Sequence, residues 1–546
     1  MMFKNSNNYS FSAGLLPGYL LGIAGLFVFV WREIDPWGWP DLDMATYYAS
    51  VEKPGMIIND FFTSCFGDSN GRAIFGLLTA WPIHLGLDWY KTLYLWMLIN
   101  SAALPVALYL GLQSSTPGRN NVSAFVYFIF IAIAIVNPGR VSQLTVAWWS
   151  GWGTYFHPSV FSISLISLGV CALGAGRIGW KVLGSILAFL SALVHPAYSL
   201  GGVIFFTIML GLSREKPRAI ILICSVFLGL VFVKIFSDSG ALSVDEYFQY
   251  FSWLHPEHYI PSRFVAMGSF PWHVPFFLLN LIFFGSGVAL YLMKKKSASL
   301  IAFCFFAVYF SAVVSQYLFV EKYPVSTTLL LISPVRFTAF GYWMSAVCIA
   351  LVLIEFRNRI NNLPSHYLSA AGQFKLNFMS GKIFKPYGYI YSAIFIFLSA
   401  ALGVTGFLHL KAPQDLIDSN KQELLDWIVV NTDPASEIAS GGFLPVEIPL
   451  ITGRGTYHGN GFPFEDRCLR ENYVRYVNIR GVPTGKAGRM NSSKFYAGLN
   501  VSDFMKMSPR PDWVVMDRES PGAVRSMSIQ QPAFENEKFL VFEVDR

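Results

Sequence analysis

The sequence predicts an all-α polytopic membrane domain followed by a small α/β domain. Of the 546 residues, 54% are hydrophobic and only 13% are charged, whereas an ordinary soluble protein carries about 25% charged residues. Apolar runs of roughly 18 or more residues recur through the first four hundred positions, and this is the length that a bilayer-crossing helix needs. Backbone groups inside lipid must pair within their own segment, so we expect these runs to be helices.

About eleven spans are expected, and two of them form a short pair near the middle of the chain. The paired runs, 182–194 and 199–213, meet at His195-Pro196. Residues 74–87 are interrupted by Pro82 and are predicted to form an amphipathic helix at the membrane interface. The predicted spans cover residues 11–31, 90–113, 122–136, 158–175, 182–194, 199–213, 219–236, 273–293, 299–320, 336–355 and 387–408.

Basic residues mark every second connector. The connectors after spans two, four, six, eight and ten are all basic, as in the Lys294–Lys296 run after span eight. Short basic loops stay in the cytoplasm, so we expect a cytoplasmic N-terminus and a multi-pass protein of the inner (cytoplasmic) membrane. The C-terminal domain is then periplasmic or extracellular. These connectors also account for the net charge of +7, which therefore gives no reason to expect nucleic acid as a partner.

The chain divides into two predicted domains. Residues 1–408 form the transmembrane domain, with a large first outer loop at 32–89, and residues 409–546 form the outer domain. The second range holds 16 Lys/Arg and 18 Asp/Glu, 34 of the chain's 73 charges. There LLDWIVVNTDP predicts a helix, and EIASGGF, DWVVMDR and FLVFEVDR predict short strands. Cys65 and Cys468 both fall in outer segments and could form a disulfide bond.

Acidic side chains are concentrated directly after the first apolar run. Such a loop is either a solvated connector or half of an active site. A carboxylate near the bilayer surface can take the proton of an attacking hydroxyl group, and Asp41 and Asp43 are the candidates for this base. A departing phosphate needs Arg, Lys or His to receive its charge. The candidates on the outer side are Arg140, His195, Arg263, Lys322 and Arg336.

The segment DLDMATYYASV resembles the first outer loop of the C-superfamily (GT-C) glycosyltransferases. In that family an Asp, often followed by a second acidic residue, precedes an aromatic residue four positions on and then a helix. Asp43 and Tyr47 match this spacing, but Met44 follows Asp43 and the second carboxylate, Asp41, lies two positions earlier. Which of the two is the base therefore stays open. The layout of the whole chain also resembles the family, with its large first outer loop, about eleven spans and outer C-terminal domain.

The resemblance implies an enzyme that moves a sugar from a polyprenyl-phosphate donor to a glycan, lipid or protein acceptor on the outer face of the membrane. It implies no certain cofactor, although a divalent metal (Mg or Mn) is possible. The candidates for acceptor binding are Tyr47, Trp152, His157, Arg454 and His458.

Two other functions fit the sequence less well. An O-antigen polymerase or ligase also uses carrier-linked glycans and outer Arg and His residues, but usually lacks an acidic first loop and a sizeable tail domain. A transporter or flippase of lipid-linked glycans predicts ionisable residues in mid-span and inverted repeats, and the spans contain few such residues. Several of the polar residues also have simple structural interpretations. Asp35 and Asp41 adjoin prolines and could set turns, and His255, Glu257 and His258 could simply be solvated.

Overall fold

The computed structural model shows a mostly helical protein with a small sheet near the C-terminus. Three described helices are long and apolar enough to cross a membrane, namely Trp89–Ser115, Lys216–Val233 and Lys296–Lys322. Several shorter apolar helices accompany them. The structure describes parts of 20–26 and then residues 42–52, 71–115, 158–175, 177–212, 214–236, 242–254, 260, 273–361, 388–441, 444–458, 466–482 and 492–544.

Most of the described helices in the first part of the chain coincide with predicted apolar runs. In chain order they are α1 (Leu42–Glu52), α2 (Gly71–Thr79), α3 (Trp81–His84), α4 (Trp89–Ser115), α5 (Pro158–Leu173), α6 (Ile178–Val194), α7 (Pro196–Leu212), α8 (Lys216–Phe236), α9 (Val244–Leu254), α10 (His273–Leu292), α11 (Lys296–Gln316), α12 (Thr327–Ile332), α13 (Gly341–Asn361) and α14 (Gly388–Leu408).

The predicted helix pair in the middle of the chain is confirmed. His195 separates α6 from α7 in an extended conformation, with φ −153° and ψ 94°. Pro196 enforces this break, because a proline disfavours helical backbone in the residue before it. Two serines tie the junction to α5. The Ser191 Oγ donates to the Ser162 carbonyl at 2.9 Å, and the Ser162 Oγ donates to the Ser191 carbonyl at 3.0 Å.

One buried arginine joins three helices at the opposite end of the bundle. Arg218, at the start of α8, is 7% exposed. It donates to the Val170 carbonyl of α5 at 2.9 Å and to the Ser114 carbonyl of α4 at 3.2 Å. The last carbonyls of a helix lack partners within the helix and carry partial negative charge, so a cation there is favourable. The ends of α4 and α5 and the start of α8 therefore lie together.

Another basic connector is held against the end of a neighbouring helix by an ion pair. Lys295, between α10 and α11, forms an ion pair with Glu355 of α13 at 2.7 Å. The N-terminal part of α7 and the C-terminal end of α11 both contact the segment Pro334–Phe340. A Cβ at Gly201 of α7 would lie 3.0 Å from the Phe340 ring, and the Gln316 Oε1 of α11 accepts from the Val335 N–H at 3.2 Å. The basic ends of α7 and α11 thus share one end of the bundle, and the His195 junction lies at the other.

Several segments depart from the prediction. The span expected at 336–355 begins only at Gly341, because Pro334–Phe340 forms a 3-10 helix. A π-helical turn, Tyr317–Lys322, runs into the predicted loop 321–335, and α12 follows it. The Ser326 hydroxyl caps α12 by accepting from the Leu329 N–H. Residues 122–136, a predicted span, lie outside the described residues.

The predicted loop 237–272 contains the helix α9. Its N-terminus carries a capping box, in which the Glu246 N–H donates to the Ser243 Oγ while the Ser243 N–H donates to the Glu246 carboxylate. The pattern Ser-x-x-Glu is visible in the sequence, so this helix start could have been predicted.

A five-stranded sheet of order β2-β1-β3-β5-β4 forms the centre of the C-terminal domain. β1 (Glu437–Ala439) pairs in parallel with β2 (Gly455–Thr456) and with β3 (Trp513–Asp517), and β5 (Phe539–Glu543) pairs antiparallel with β3 and with β4 (Phe534–Glu535). The three predicted strands are confirmed as β1, β3 and β5. The helices of this domain are α15 (Ser419–Asn431), α16 (Leu444–Thr452), α17 (Asp466–Arg480), α18 (Ser492–Gly498), α19 (Val501–Met505) and α20 (Pro521–Met527).

The C-terminal domain packs on the helical part through two apolar clusters. In the first, Val446 and Leu450 of α16 share a cluster with Tyr48 of α1. In the second, Leu469 and Tyr476 of α17 share a cluster with residues of α9, the π-helical turn and α12. An ion pair between Arg470 and Glu246, at 3.1 Å, lies beside the second cluster. Cys468 is disulfide-bonded, and Cys65, its predicted partner, lies outside the described residues.

The close approach of α5 and α6 depends on two glycines and gives a testable prediction. A Cβ at Gly184 would lie 2.8 Å from the Gly169 carbonyl oxygen and 2.9 Å from the Leu173 backbone nitrogen. Since backbone atoms cannot move aside as a side chain does, we expect Gly184→Ala to destabilise the protein by about 1–3 kcal/mol. Thermal unfolding of the detergent-solubilised protein measures the effect.

The matched control is Gly179→Ala on the same helix, where an added Cβ meets nothing within 4 Å. That change should leave the melting temperature equal or slightly higher, because alanine favours helix over glycine by up to about 1 kcal/mol. Equal melting temperatures for the two variants would contradict the close packing of α5 on α6.

Candidate functional site

Two of the predicted phosphate-binding side chains lie near one buried tyrosine. The His195 ring contacts the Tyr198 ring edge-on, with 4.7 Å between the ring centroids. The charge of Arg336 lies within electrostatic range of the Tyr198 hydroxyl. Tyr198 is only 1% exposed, while His195 and Arg336 are half-buried. We refer to these three residues as the junction site.

The position of Arg336 is set by the buried side chain of Gln316. Its Oε1 accepts from the Ser333 hydroxyl and from the Val335 N–H, both at 3.2 Å. Ser333 adopts a positive φ of 47°, a conformation that non-glycine residues seldom take and that costs free energy unless the surroundings hold it. The Arg336 N–H then donates to the Ser333 carbonyl at 2.8 Å. A polar anchor on α11 therefore holds the turn that carries Arg336 over the start of α7.

Two buried hydroxyl groups lie in the first turn of α7, one on Tyr198 of the junction site and one on the next residue, Ser199. Neither the Tyr198 hydroxyl nor the Ser199 Oγ makes a hydrogen bond to the residues that the structure describes. Buried polar groups in folded proteins are hydrogen-bonded with few exceptions, and an unsatisfied one costs about 1–3 kcal/mol. The site therefore has hydrogen-bonding capacity left for a ligand or for ordered water.

The helix that carries Asp43 lies at the same end of the bundle. The Glu52 carboxylate, at the end of α1, accepts from the Trp89 N–H at the start of α4. The far end of α4, at Ser114, is the end bound by Arg218. α1 is thus held beside the end of the bundle that carries the His195 junction, and the C-terminal domain packs on it through α16.

Several predicted site residues are placed only in part or not at all. Asp43 is the second residue of α1, and its side chain is not among those described. Asp41, Arg140, Trp152, His157 and Arg263 lie outside the described residues, as do His255, Glu257 and His258. Their roles stay predictions.

Tyr47 and Lys322 are described and lie outside the junction site. Tyr47 of α1 is half-buried, and its ring packs against Gly76 of α2, where an added Cβ would lie 2.4 Å away. Lys322 is exposed, with its ammonium group 5.2 Å from the centroid of the Tyr323 ring. The predicted roles of Tyr47 in acceptor binding and of Lys322 in phosphate binding stay predictions.

Arg454 is used by the C-terminal domain itself. Its guanidinium donates to the carbonyls of Val429 and Thr432 at the end of α15, at 2.8 and 3.0 Å, and to the Thr452 carbonyl at 3.2 Å. Its Nε donates to the Thr432 hydroxyl at 3.1 Å. With the guanidinium committed to helix-end carbonyls, the geometry favours a structural role over the predicted contact with an acceptor.

His458 lies beside the interface between the two parts of the chain. It is 5% exposed, and its ring centroid is 5.6 Å from that of Tyr476. Burial lowers the pKa of His458 well below its usual value, and the charges of Arg480 and Arg475 lower it further. The imidazole is therefore neutral at pH 7. Tyr476 packs in the same cluster as Val320 and Leu330, which flank the turn leading to Arg336.

The metal ion that the sequence allows has no group of ligands among the described residues. Within the described part of the chain, no group of three or more His, Cys, Asp or Glu side chains could hold a metal ion. The acidic residues of the first outer loop that would be the natural oxygen ligands lie almost entirely outside that part. The possible Mg or Mn ion stays a prediction.

Comparisons with known proteins give little further information. No family model matches the sequence, and no curated protein matches it significantly. Among solved structures, the chain is similar to the oligosaccharyltransferase of Archaeoglobus fulgidus, which was crystallised in complex with zinc and sulfate. The TM-score is 0.38 and the sequence identity 11%, over 93% of this chain and 68% of that protein. A similarity this distant does not establish a shared function.

A buried ion pair in the C-terminal domain predicts a pH effect on stability. Glu437 begins β1, and the Arg475 Nη1 donates to both of its carboxylate oxygens at 2.9 and 3.0 Å. Burial raises the pKa of Glu437 to about 7, against the opposing charge of Arg475. Because the folded state then holds this proton more tightly than the unfolded state, the contribution of Glu437 to stability is fully present below pH 4.5 and is lost as the pH rises through 7.

We therefore expect the wild-type protein to lose stability relative to Glu437→Gln between pH 5 and pH 8, by at most about 3 kcal/mol. Denaturant unfolding of both proteins across this range measures the difference. Glu519→Gln, at an exposed position of the same domain, is the control and should show no such slope. A difference between wild type and Glu437→Gln that is independent of pH would contradict the raised pKa.

Proposed function

We propose that this protein is a membrane glycosyltransferase that moves a sugar from a polyprenyl-phosphate donor to an acceptor on the outer face of the inner (cytoplasmic) membrane. The observation that carries the proposal is the junction site. His195 and Arg336 come from segments more than 130 residues apart; the His195 ring contacts buried Tyr198, and the charge of Arg336 acts on the same tyrosine. They lie at the end of the bundle opposite the basic connectors, and short basic connectors face the cytoplasm.

The chemistry assigns each group a role. The acceptor hydroxyl oxygen attacks the anomeric carbon of the sugar, and the bond between that carbon and the phosphate oxygen breaks. The hydroxyl proton passes to the carboxylate of Asp43 or Asp41, which acts as the general base. The polyprenyl phosphate departs with the negative charge, which the Arg336 guanidinium and a His195 N–H stabilise by charge-assisted hydrogen bonds.

The surroundings of the site suit such a donor. A charge-assisted hydrogen bond is stronger where water is excluded, and the junction site is built on buried and half-buried side chains. The helices around it carry large apolar side chains on their outer faces, such as Phe227 and Leu228 of α8 and Leu281 of α10. These faces suit a bilayer, in which a prenyl chain can approach the end of the bundle from the side.

The acceptor side is assigned to the space between the junction site, α1 and the C-terminal domain. α1 begins at Leu42, so the candidate bases Asp41 and Asp43 belong to its first turn or just precede it. A carboxylate at this place would face the acceptor hydroxyl, while the phosphate lies on the α7 side. A polymerase or ligase acting on carrier-linked glycans would use the same phosphate contacts, so the identity of the acceptor separates it from the proposed enzyme. A lipid-linked-glycan flippase would move its substrate without breaking a bond.

The base is tested by two substitutions. In reconstituted vesicles supplied with synthetic polyprenyl-phosphate sugars and membrane acceptors, we expect either Asp43→Asn or Asp41→Asn to reduce transfer by about 10²–10⁴-fold, the usual contribution of a general base. The other substitution should have a smaller effect. Transfer is measured as radioactive sugar moved to the acceptor. Full transfer by both variants, with both correctly inserted, would exclude a base at either position.

The phosphate contact is tested by Arg336→Gln, with Arg336→Lys as the conservative variant. We expect Arg336→Gln to reduce turnover of the donor by at least about 100-fold, since one charge-stabilising donor commonly contributes that much. Lysine should restore part of the activity, because it keeps the charge but loses the bidentate geometry.

The matched control is Arg359→Gln, which removes the same charge from the opposite end of α13, where Arg359 is exposed. It should keep donor turnover within about twofold of wild type, as most exposed substitutions have small effects. Equal losses in Arg336→Gln and Arg359→Gln would mean that Arg336 acts only through folding or insertion.

A further inference from the structure

Ser440, His458 and Asn472 of the C-terminal domain carry buried polar atoms that make no hydrogen bond to the residues that the structure describes. Ser440, His458 and Asn472 are 4%, 5% and 3% exposed. Four of their polar atoms make no hydrogen bond within the part of the chain that the structure describes: Ser440 Oγ, His458 Nδ1, His458 Nε2 and Asn472 Nδ2. We refer to these three residues as the edge cluster. Buried polar atoms are nearly always hydrogen-bonded in folded proteins, so four such atoms from three elements point to a missing partner.

The edge cluster lies where two parallel strands end. Ile438 of β1 pairs with Thr456 of β2, and the ladder continues as the Tyr457 N–H donates to the Ile438 carbonyl at 3.0 Å. Ser440 and His458 each follow this pair by two residues, so they occupy neighbouring positions just beyond the carboxyl ends of the two strands. In open α/β sheets, ligands bind outside the carboxyl ends of the parallel strands.

The third member comes from the helix that packs against these ends. Asn472 precedes Tyr476 by one turn of α17, so the two side chains share a face of that helix. The Tyr476 ring is the one that contacts His458, at 5.6 Å between centroids. The amide of Asn472 is therefore carried toward the same place as the His458 imidazole.

The donors and acceptors of the edge cluster fit hydroxyl groups better than a simple anion. A neutral imidazole offers one donor and one acceptor, the serine hydroxyl offers both, and the Asn472 amide nitrogen donates. An anion accepts only and would leave one imidazole nitrogen unmatched. Of the two nearby arginines, Arg475 pairs with Glu437 and with Glu471, at 2.9 and 2.7 Å, and the Arg480 guanidinium stacks on the Tyr476 ring, 5.5 Å from its centroid. A neutral group that both donates and accepts suits this environment, and the hydroxyl groups of a sugar have this property.

We propose that the edge cluster binds a carbohydrate through its hydroxyl groups, and that this carbohydrate is the acceptor, so that the acceptor is a glycan. The second half of this statement rests on the proposed function. It is supported by position, since α17 packs through Leu469 and Tyr476 against the π-helical turn and α12. Those elements lead directly into the turn that carries Arg336.

Binding is tested on the full chain in lipid nanodiscs by saturation-transfer difference NMR. The probes are the methyl glycosides of glucose, galactose, mannose and N-acetylglucosamine, each at 1–50 mM as an order of magnitude for weak single-sugar sites. We expect at least one glycoside to receive saturation from the wild-type protein. His458→Phe and Asn472→Leu should each reduce that signal at least about fivefold, because each removes a hydrogen-bonding partner while keeping a similar volume.

The control is Asn431→Leu, the same change at an exposed position at the end of α15. It should keep the full signal. The two cluster variants should melt at or above the wild-type temperature, because an apolar side chain replaces a buried polar group that lacks a partner. Absence of saturation transfer to every glycoside, or an unchanged signal in both folded cluster variants, would mean that the edge cluster holds ordered water only and would overturn the proposal.

A kinetic measurement separates this proposal from the proposed function. With a glycan acceptor, His458→Phe should raise the acceptor KM at least about tenfold and change kcat much less, as expected for lost ground-state binding. Asn431→Leu should change neither constant. If wild-type protein binds a glycoside but turns over no polyprenyl-phosphate sugar, the proposed function fails and the carbohydrate site stands. If it transfers sugar with an unaltered acceptor KM in both cluster variants, the acceptor assignment fails and the proposed function stands.

Discussion

The reciprocal hydrogen bonds between Ser162 and Ser191 are the contact on which the arrangement of the junction site depends. They fix α6 against α5 one turn before the chain breaks at His195. Proline ends the helix at that point, and the two serines determine where in the bundle the break falls. From there α7 runs back with Tyr198 in its first turn, and the turn that carries Arg336 packs on it. The serine contact between two apolar helices thus places a histidine, a tyrosine and an arginine near one another at the end of an otherwise apolar bundle.

The C-terminal domain packs directly against the end of the bundle that carries the junction site. Its two apolar contacts reach α1 on one side and the α9–α12 region on the other, so the first outer loop, the junction site and the sheet domain share one neighbourhood. The edge cluster lies on the side of the domain that faces α9 and α12. If a glycan binds there, the domain is the acceptor-holding half of the proposed enzyme and the bundle is the donor-holding half.

Particular residues show which parts of this arrangement the sequence reveals. His195-Pro196 predicts the break, since proline disfavours the helical conformation in the residue before it. The Ser-x-x-Glu box at 243–246 likewise marks the start of α9. Arg218 is read easily as a cytoplasmic charge but not as the side chain that joins α4, α5 and α8, because its partners are backbone carbonyls, which every residue has. Arg454 looks like a free loop arginine for the same reason. The edge cluster leaves no trace in the sequence, because it is defined by the absence of partners in three dimensions.

The sequence by itself determined the helical character of the chain, the alternation of basic connectors and the position of the strands, because these follow from local hydrophobicity, charge and turn chemistry. It also named His195 and Arg336 from their position near the ends of apolar runs. Only the tertiary structure decided that both lie near Tyr198, that Gln316 holds the turn that carries the arginine, and that Ser440, His458 and Asn472 gather at one strand edge. Contacts between residues far apart in the chain depend on how helices pack, and packing is set by shape complementarity that no single segment encodes.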